Sequence, residues 1–199
     1  MKKRLLRINL IFILLIALPL NLYAGPPTDT VKGEVDKIIS KLRDPAFKEK
    51  AREEKIAGIR EIINEIFDWT ELSKRTLGRD WKKFNDAQKK EFIDLFSELL
   101  EGVYADRLLA YSDEKVIFDK ETELRKGQFE VQSYIATSDG KKIPLHYRMR
   151  EKQGKWRVYD VVIEGVSMVK NYRSQFREIL SKKQPEDLLK TLRDKTGKG

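Results

Sequence analysis

Few residues in this chain are equipped for covalent chemistry. Its 199 residues include one histidine and no cysteine, so no His/Cys set exists for a metal site. His146 lies in an alternating stretch where Ile143, Leu145, Tyr147 and Met149 oppose Lys142, His146, Arg148 and Arg150. It falls on the polar register, where a lone histidine without partners is a surface or edge residue. Neither a Gly-rich phosphate loop nor a G-x-S-x-G elbow occurs. Asp160 is the best candidate for a reacting group. It sits mid-strand between Tyr159 and Val161, on the register of Trp156, Val158 and Val162. A carboxylate in an apolar cavity has a raised pKa and takes up protons near neutrality; isomerases with small cone-shaped α+β folds work this way. The commoner fate of a buried carboxylate is a bond to an arginine or to backbone amides, and that structural role is the expectation for Asp160.

The element that carries Asp160 is a strand over residues 156–163, β-branched and aromatic almost throughout. Both of its faces are apolar, so both are expected to be covered. Glu164-Gly165 breaks it, and Ser167 is placed to cap a helix running to about Leu180. Ahead of it, Val116 and Phe118 alternate with Ile117 and Asp119, and Phe129, Val131, Ser133 and Ile135 alternate with Glu130, Gln132 and Tyr134. Ser138-Asp139-Gly140 and Lys152-Gln153-Gly154 are turn signals. Four antiparallel strands follow from this pattern.

Before Ser112-Asp113 the period is helical. Val31, Val35, Ile38, Ile39 and Leu42 form one stripe over residues 30–42; Ile56, Ile59, Ile62, Ile63 and Ile66 form another in a helix expected over residues 45–67. Asp68 and Glu71 have capping-box spacing, Gly78 closes that helix, and Asn85 with Gln88 opens a long one to about Tyr111. That helix carries Phe92, Phe96, Leu99 and Val103 at helical spacing. A last helix starts near Pro185, which suits a first turn. The expected architecture is α+β, a single domain with a curved four-stranded antiparallel sheet packed against six to seven helices.

The first 24 residues read as a signal peptide. Lys2, Lys3, Arg4 and Arg7 precede an apolar run of about 13 residues, Ile8 to Leu20, and Ala24 offers a cleavage site before Gly25. Residues 25–199 would then be one domain. The absence of cysteine leaves neither a lipidation site nor a disulfide framework. The net charge is +9, four charges of which lie in the acid-free leader, leaving +5 for the remainder. A modest positive field favours anionic headgroups or acidic protein surfaces. No basic stripe with interleaved aromatics argues for nucleic acid.

The string Val158-Tyr159-Asp160 through Glu164-Gly165-Val166-Ser167, followed by Asn171-Tyr172-Arg173 and Phe176, resembles the MlaC family of periplasmic phospholipid-binding proteins. Phe67-Asp68-Trp69, Leu77-Gly78 with Trp81, and the Phe92-Leu95-Phe96 helix ending at Tyr104 look like the same family. The resemblance implies a deep pocket for acyl chains, with phospholipid as cargo and no cofactor. It implies a monomer that shuttles lipid between an outer-membrane lipoprotein complex and an inner-membrane MCE-domain ABC transporter. A hopanoid-carrying branch of the family, a cone-fold isomerase using Asp160 and a scaffold with a solid core stay open at this point. The pocket is expected between the sheet and the helices of residues 85–111 and 167–181. Its expected walls are Phe92, Phe96, Leu99, Phe118, Phe129, Val131, Tyr147, Val158 and Val162, and Arg148, Arg150, Lys170 and Arg173 are expected at a partner-contact face near its mouth.

Overall fold

Pro26-Pro27 starts the first helix without loss, since a proline in the first turn gives up an N–H that has no helical partner anyway. Helix α1 is Pro27–Arg43, three residues earlier at its start than the stripe alone indicates. The computed structural model describes residues 26–111 and 114–198; the expected leader of residues 1–24 and the Ser112-Asp113 junction lie outside them. The single helix expected over residues 45–67 is two. Asp44 accepts from the Ala46 amide at 2.9 Å and caps α2, Pro45–Lys48. After a break at residues 49–51, α3 runs Arg52–Ile66. The break turns Phe47 inward, where it packs with Leu42 and Ile59 in a small second core, flanked by Ile38, Ile63 and Leu108.

Asp68 caps α4, Trp69–Leu77, by accepting from the Glu71 amide at 3.1 Å. Gly78, at φ +58°, ends it and leads into a 3₁₀ turn over Gly78–Lys83. Asn85 and Gln88 form the reciprocal capping box that opens α5, Asp86–Leu109. The sheet follows in meander order: β1 Lys115–Arg125, β2 Gln128–Ala136, β3 Lys142–Lys152, β4 Lys155–Ile163 and β5 Val166–Ser167, every neighbour antiparallel. The fifth strand was not legible as a strand. Glu164 and Gly165 both have positive φ, 50° and 81°, the combination that folds a two-residue hairpin back onto its own strand. Ser167 pairs with Val162 and its Oγ accepts from the Lys170 amide at 3.1 Å, capping α6, Met168–Leu180. Helix α7, Pro185–Thr196, closes the described chain, with Pro185 in its first turn.

One end of the molecule is solid. Phe92 packs edge-on against Phe84 and Phe176, and Phe96 against Tyr172 and Phe176, with ring centroids 5.1–5.8 Å apart. These rings join α5 to α6, and the fully buried Leu188, Leu189 and Leu192 of α7 complete the core.

The β3–β4 pairing holds the decisive irregularity. Met149 faces Val158 and Arg148 faces Asp160, so Tyr159 is an extra residue with no partner on β3. A bulge of one residue reverses the alternation beyond it. Strict alternation would put Val158 and Val162 on one face; with the bulge, Val158 shares its face with Val161 and Ile163.

Candidate binding cavity

An apolar cavity of about 470 Å³ lies between the sheet and three helices, within the size range of small-molecule sites. Its floor is the sheet, through Tyr147 of β3 and Val158, Val161 and Ile163 of β4. One wall is Val31, Val35 and Ile38 of α1. A second is Ile56, Ile59, Ile63 and Ile66 of α3, and a third Leu100, Tyr104, Ala105, Leu108 and Leu109 of α5. Phe67, Trp69 and Met168 close it near β4, with Phe67 and Trp69 stacked at 4.8 Å. The residues deepest in it, Val31, Ile66, Leu100, Val158 and Val161, are buried, while Arg60, Asn64, Asp94 and Lys198 are exposed. The polar residues therefore mark the mouth, on the side away from the sheet.

Of the nine residues expected in the walls, the cavity brings together Tyr147 and Val158. Phe92 and Phe96 belong to the solid aromatic core between α5 and α6. Leu99 packs against that core from the same helix. Phe118 stacks on Tyr147, with ring centroids 6.3 Å apart, beside the cavity and not in its wall. Phe129 sits edge-on to Trp156, and Val131 is buried in the main core beside Tyr147 on the neighbouring strand. Val162 pairs with His146 and Ser167, on the register opposite to Val158 because of the bulge. Helix α6 was expected to form a wall and contributes only Met168. The walls that sequence reasoning missed are α1 and α3. Their stripes were legible, but an isoleucine stripe that covers a void has the same spacing as one that fills a core.

Asp160 does not line the cavity. It is 2% exposed, and its oxygens accept from Arg148 Nη1 at 3.1 Å, Ser167 Oγ at 2.6 Å and the Val169 amide at 3.0 Å. It ties β3 and β4 to the start of α6, with the charge compensation that a buried carboxylate requires. Arg148 also binds Glu130 at 2.8 Å, and His146, half-buried, has its Nδ1 at 4.0 Å from the same carboxylate. Arg150 pairs with Glu71, and Arg173 donates from Nε and Nη2 to the Arg75 carbonyl. Three of the four basic residues expected at a contact face are thus engaged within the fold; Lys170 remains exposed.

The only tyrosine on the cavity floor is Tyr147, and burial pushes its phenol well above the ordinary tyrosine range. It stays neutral and can donate a hydrogen bond. At the mouth, Arg60 of α3 makes a two-pronged ion pair with Glu101 of α5, and Lys198 reaches Glu98. The Glu101 hydrogen bond is the chief reason that the Arg60 pKa is raised. Arg52 pairs with Asp106 further along the same two helices. Ion pairs link α3 and α5 at the mouth, while Ile59 and Ile63 share the small second core with Leu108.

No helix among the described residues is long and apolar enough to cross a membrane. The chain is 30% identical over 135 residues to the intermembrane phospholipid transport system binding protein MlaC of Haemophilus influenzae, a match covering 64% of this chain and 63% of that one. It is 25% identical over 187 residues to the toluene tolerance protein ttg2D of Pseudomonas putida, covering 92% and 86%. Its fold matches that of a phospholipid-binding protein from Ralstonia solanacearum solved in complex with a phospholipid, with a TM-score of 0.80 and 23% identity over 87% of this chain and 98% of that one. The family model for MlaC protein covers residues 32–194, which takes in most of α1 and all of α3, α5 and the sheet, and the chain belongs to the MlaC protein family.

Proposed function

We propose that this protein is a periplasmic phospholipid carrier, exported by way of the leader in residues 1–24 and delivering lipid between an outer-membrane lipoprotein complex and an inner-membrane MCE-domain ABC transporter. The observation that carries the reading is the cavity: apolar walls from three helices and the sheet, with charged residues only at its rim. Burying a methylene stabilises by about 0.8 kcal/mol, so a 16-carbon tail amounts to about 12 kcal/mol. A bilayer offers a tail the same stabilisation. A carrier must therefore bury nearly the whole tail, or extraction never competes. The cavity of about 470 Å³ is of a size to hold an acyl chain. At the mouth α3 and α5 are tied by Arg60–Glu101 and Arg52–Asp106, exposed ion pairs for which water competes.

The names of the relatives point to phospholipid as cargo, as does the phospholipid held by the Ralstonia protein of the same fold. Mass spectrometry of organic extracts from the purified protein tests the reading, and phospholipid is the expected finding. Val161 faces the cavity from its floor, so Val161→Trp should fill the void and lower recovered lipid several-fold while the protein stays folded. Extracts free of lipid, or a Val161→Trp protein carrying as much as the parent, would refute it.

A further inference from the structure

The charges at the cavity mouth are arranged in pairs that a zwitterionic lipid can replace one for one. Arg60 holds Glu101 across the opening, and Lys198 holds Glu98. Asp94 is exposed at the rim, with no ion pair among the described residues. Glu34 completes the set on α1, paired with Lys37. Acids outnumber bases among the charged residues that line the cavity, four to two. Among the described residues, Arg60 is the cation that α3 and α5 present to the cavity, and its planar fork suits a phosphate as well as a carboxylate.

Resting on the carrier reading, we propose that this mouth selects phospholipids whose headgroup carries a cation, ethanolamine or a similar ammonium, over anionic ones such as phosphatidylglycerol. The reason is conservation of ion pairs. When a tail enters, its phosphate takes Arg60 and releases Glu101. With a zwitterionic lipid, the headgroup ammonium then pairs with the freed Glu101, and the number of ion pairs is unchanged or rises. With phosphatidylglycerol, Glu101 is left without a partner beside a phosphate and within the field of Glu98 and Asp94. The rim is partly exposed, so each such contact is weak. The expected selection is about two- to fivefold, the range that an exposed ion pair confers.

The test uses the whole mature protein, stripped of bound lipid and incubated with vesicles of equimolar phosphatidylethanolamine and phosphatidylglycerol with identical palmitoyl-oleoyl chains. The protein is recovered and its lipid quantified by mass spectrometry. The parent should carry ethanolamine over glycerol lipid by about two- to fivefold, and the ratio should fall towards one at high salt. Glu101→Gln should bring the ratio close to one at low salt. Asp36→Asn removes the same charge from an exposed ion pair on α1 outside the cavity, and should keep the parental ratio. A parental ratio at or below one, or a Glu101→Gln ratio equal to the parent's, overturns the proposal while leaving the carrier reading intact. Recovery of no lipid from either source overturns both.

Discussion

At the scale of single residues, Asp160 is the instructive case. A buried carboxylate between apolar neighbours invites a catalytic reading, yet all its contacts are structural donors: Arg148, Ser167 and the Val169 amide. Removing one member of a buried pair leaves the other uncompensated, at about 3–5 kcal/mol. Asp160→Ala should therefore cost about that much in urea unfolding, and Asp160→Asn, which keeps an acceptor oxygen, about 1–2 kcal/mol. An Asp160→Asn protein as stable as the parent would show that the charge is not needed for the fold. Tyr147 gives a second prediction. Burial holds the phenols of Tyr147, Tyr159 and Tyr172 above the ordinary value, which is about 10. For Tyr159, desolvation outweighs the opposing pull of Arg75 and Arg148. The unfolded chain releases these protons first. Their share of stability is complete below about pH 10 and is lost as pH rises through that value towards the folded-state pKa. Urea midpoints should fall between about pH 9 and pH 11, and Tyr147→Phe should fall less steeply over the same range. An identical slope would mean that Tyr147 ionises freely in the folded protein.

At the scale of elements, caps and turns decide where the walls stand. Asn85 and Gln88 satisfy each other's backbone amides at the start of α5, the helix that divides the aromatic core from the cavity. Asn85→Ala should destabilise by about 1 kcal/mol, measured as a lower midpoint of thermal or urea unfolding; no change would mean that the helix start is set by packing alone. The bulge at Tyr159 matters more than any cap. It turns Val161 and Ile163 towards the cavity and Val162 away from it, in a strand whose residues are apolar on both faces. The same two-sidedness hid β5, because Glu164-Gly165 announces a turn without saying that two further residues return to pair with β4.

At the scale of the whole molecule, two forces act separately. On the proposed carrier reading, lipid is held by apolar burial, while encounters with partners follow the net charge, +5 over residues 25–199. Screening shortens the reach of that field from about 10 Å at 0.1 M salt to about 3 Å at 1 M. Binding to the MCE-domain transporter should slow with added salt, and retention of lipid should not change. Docking rates that ignore salt would assign the contact to apolar surface. The guanidiniums of Arg148, Arg150 and Arg173, expected at that contact face, are tied within the fold to Glu130, Asp160, Glu71 and the Arg75 carbonyl.

By itself the sequence determined the α+β order, the helical stripes, most caps and turns, and a string around Asp160 specific enough to indicate the family. These features are local: a cap, a turn or a period is set within a few residues of its neighbours. Tertiary structure alone decided which stripes surround empty space. The isoleucines of α3 and the valines of α1 face the cavity, whereas Phe92, Phe96 and Phe176, equally apolar and equally spaced, fill one another's gaps. The spacing of apolar residues records which face of a helix turns inward, but whether that face meets another side chain depends on the distance to the next element. Here that distance is set by a break at residues 49–51, an unpaired Tyr159 and ion pairs between α3 and α5, none of which hydrophobic periodicity encodes.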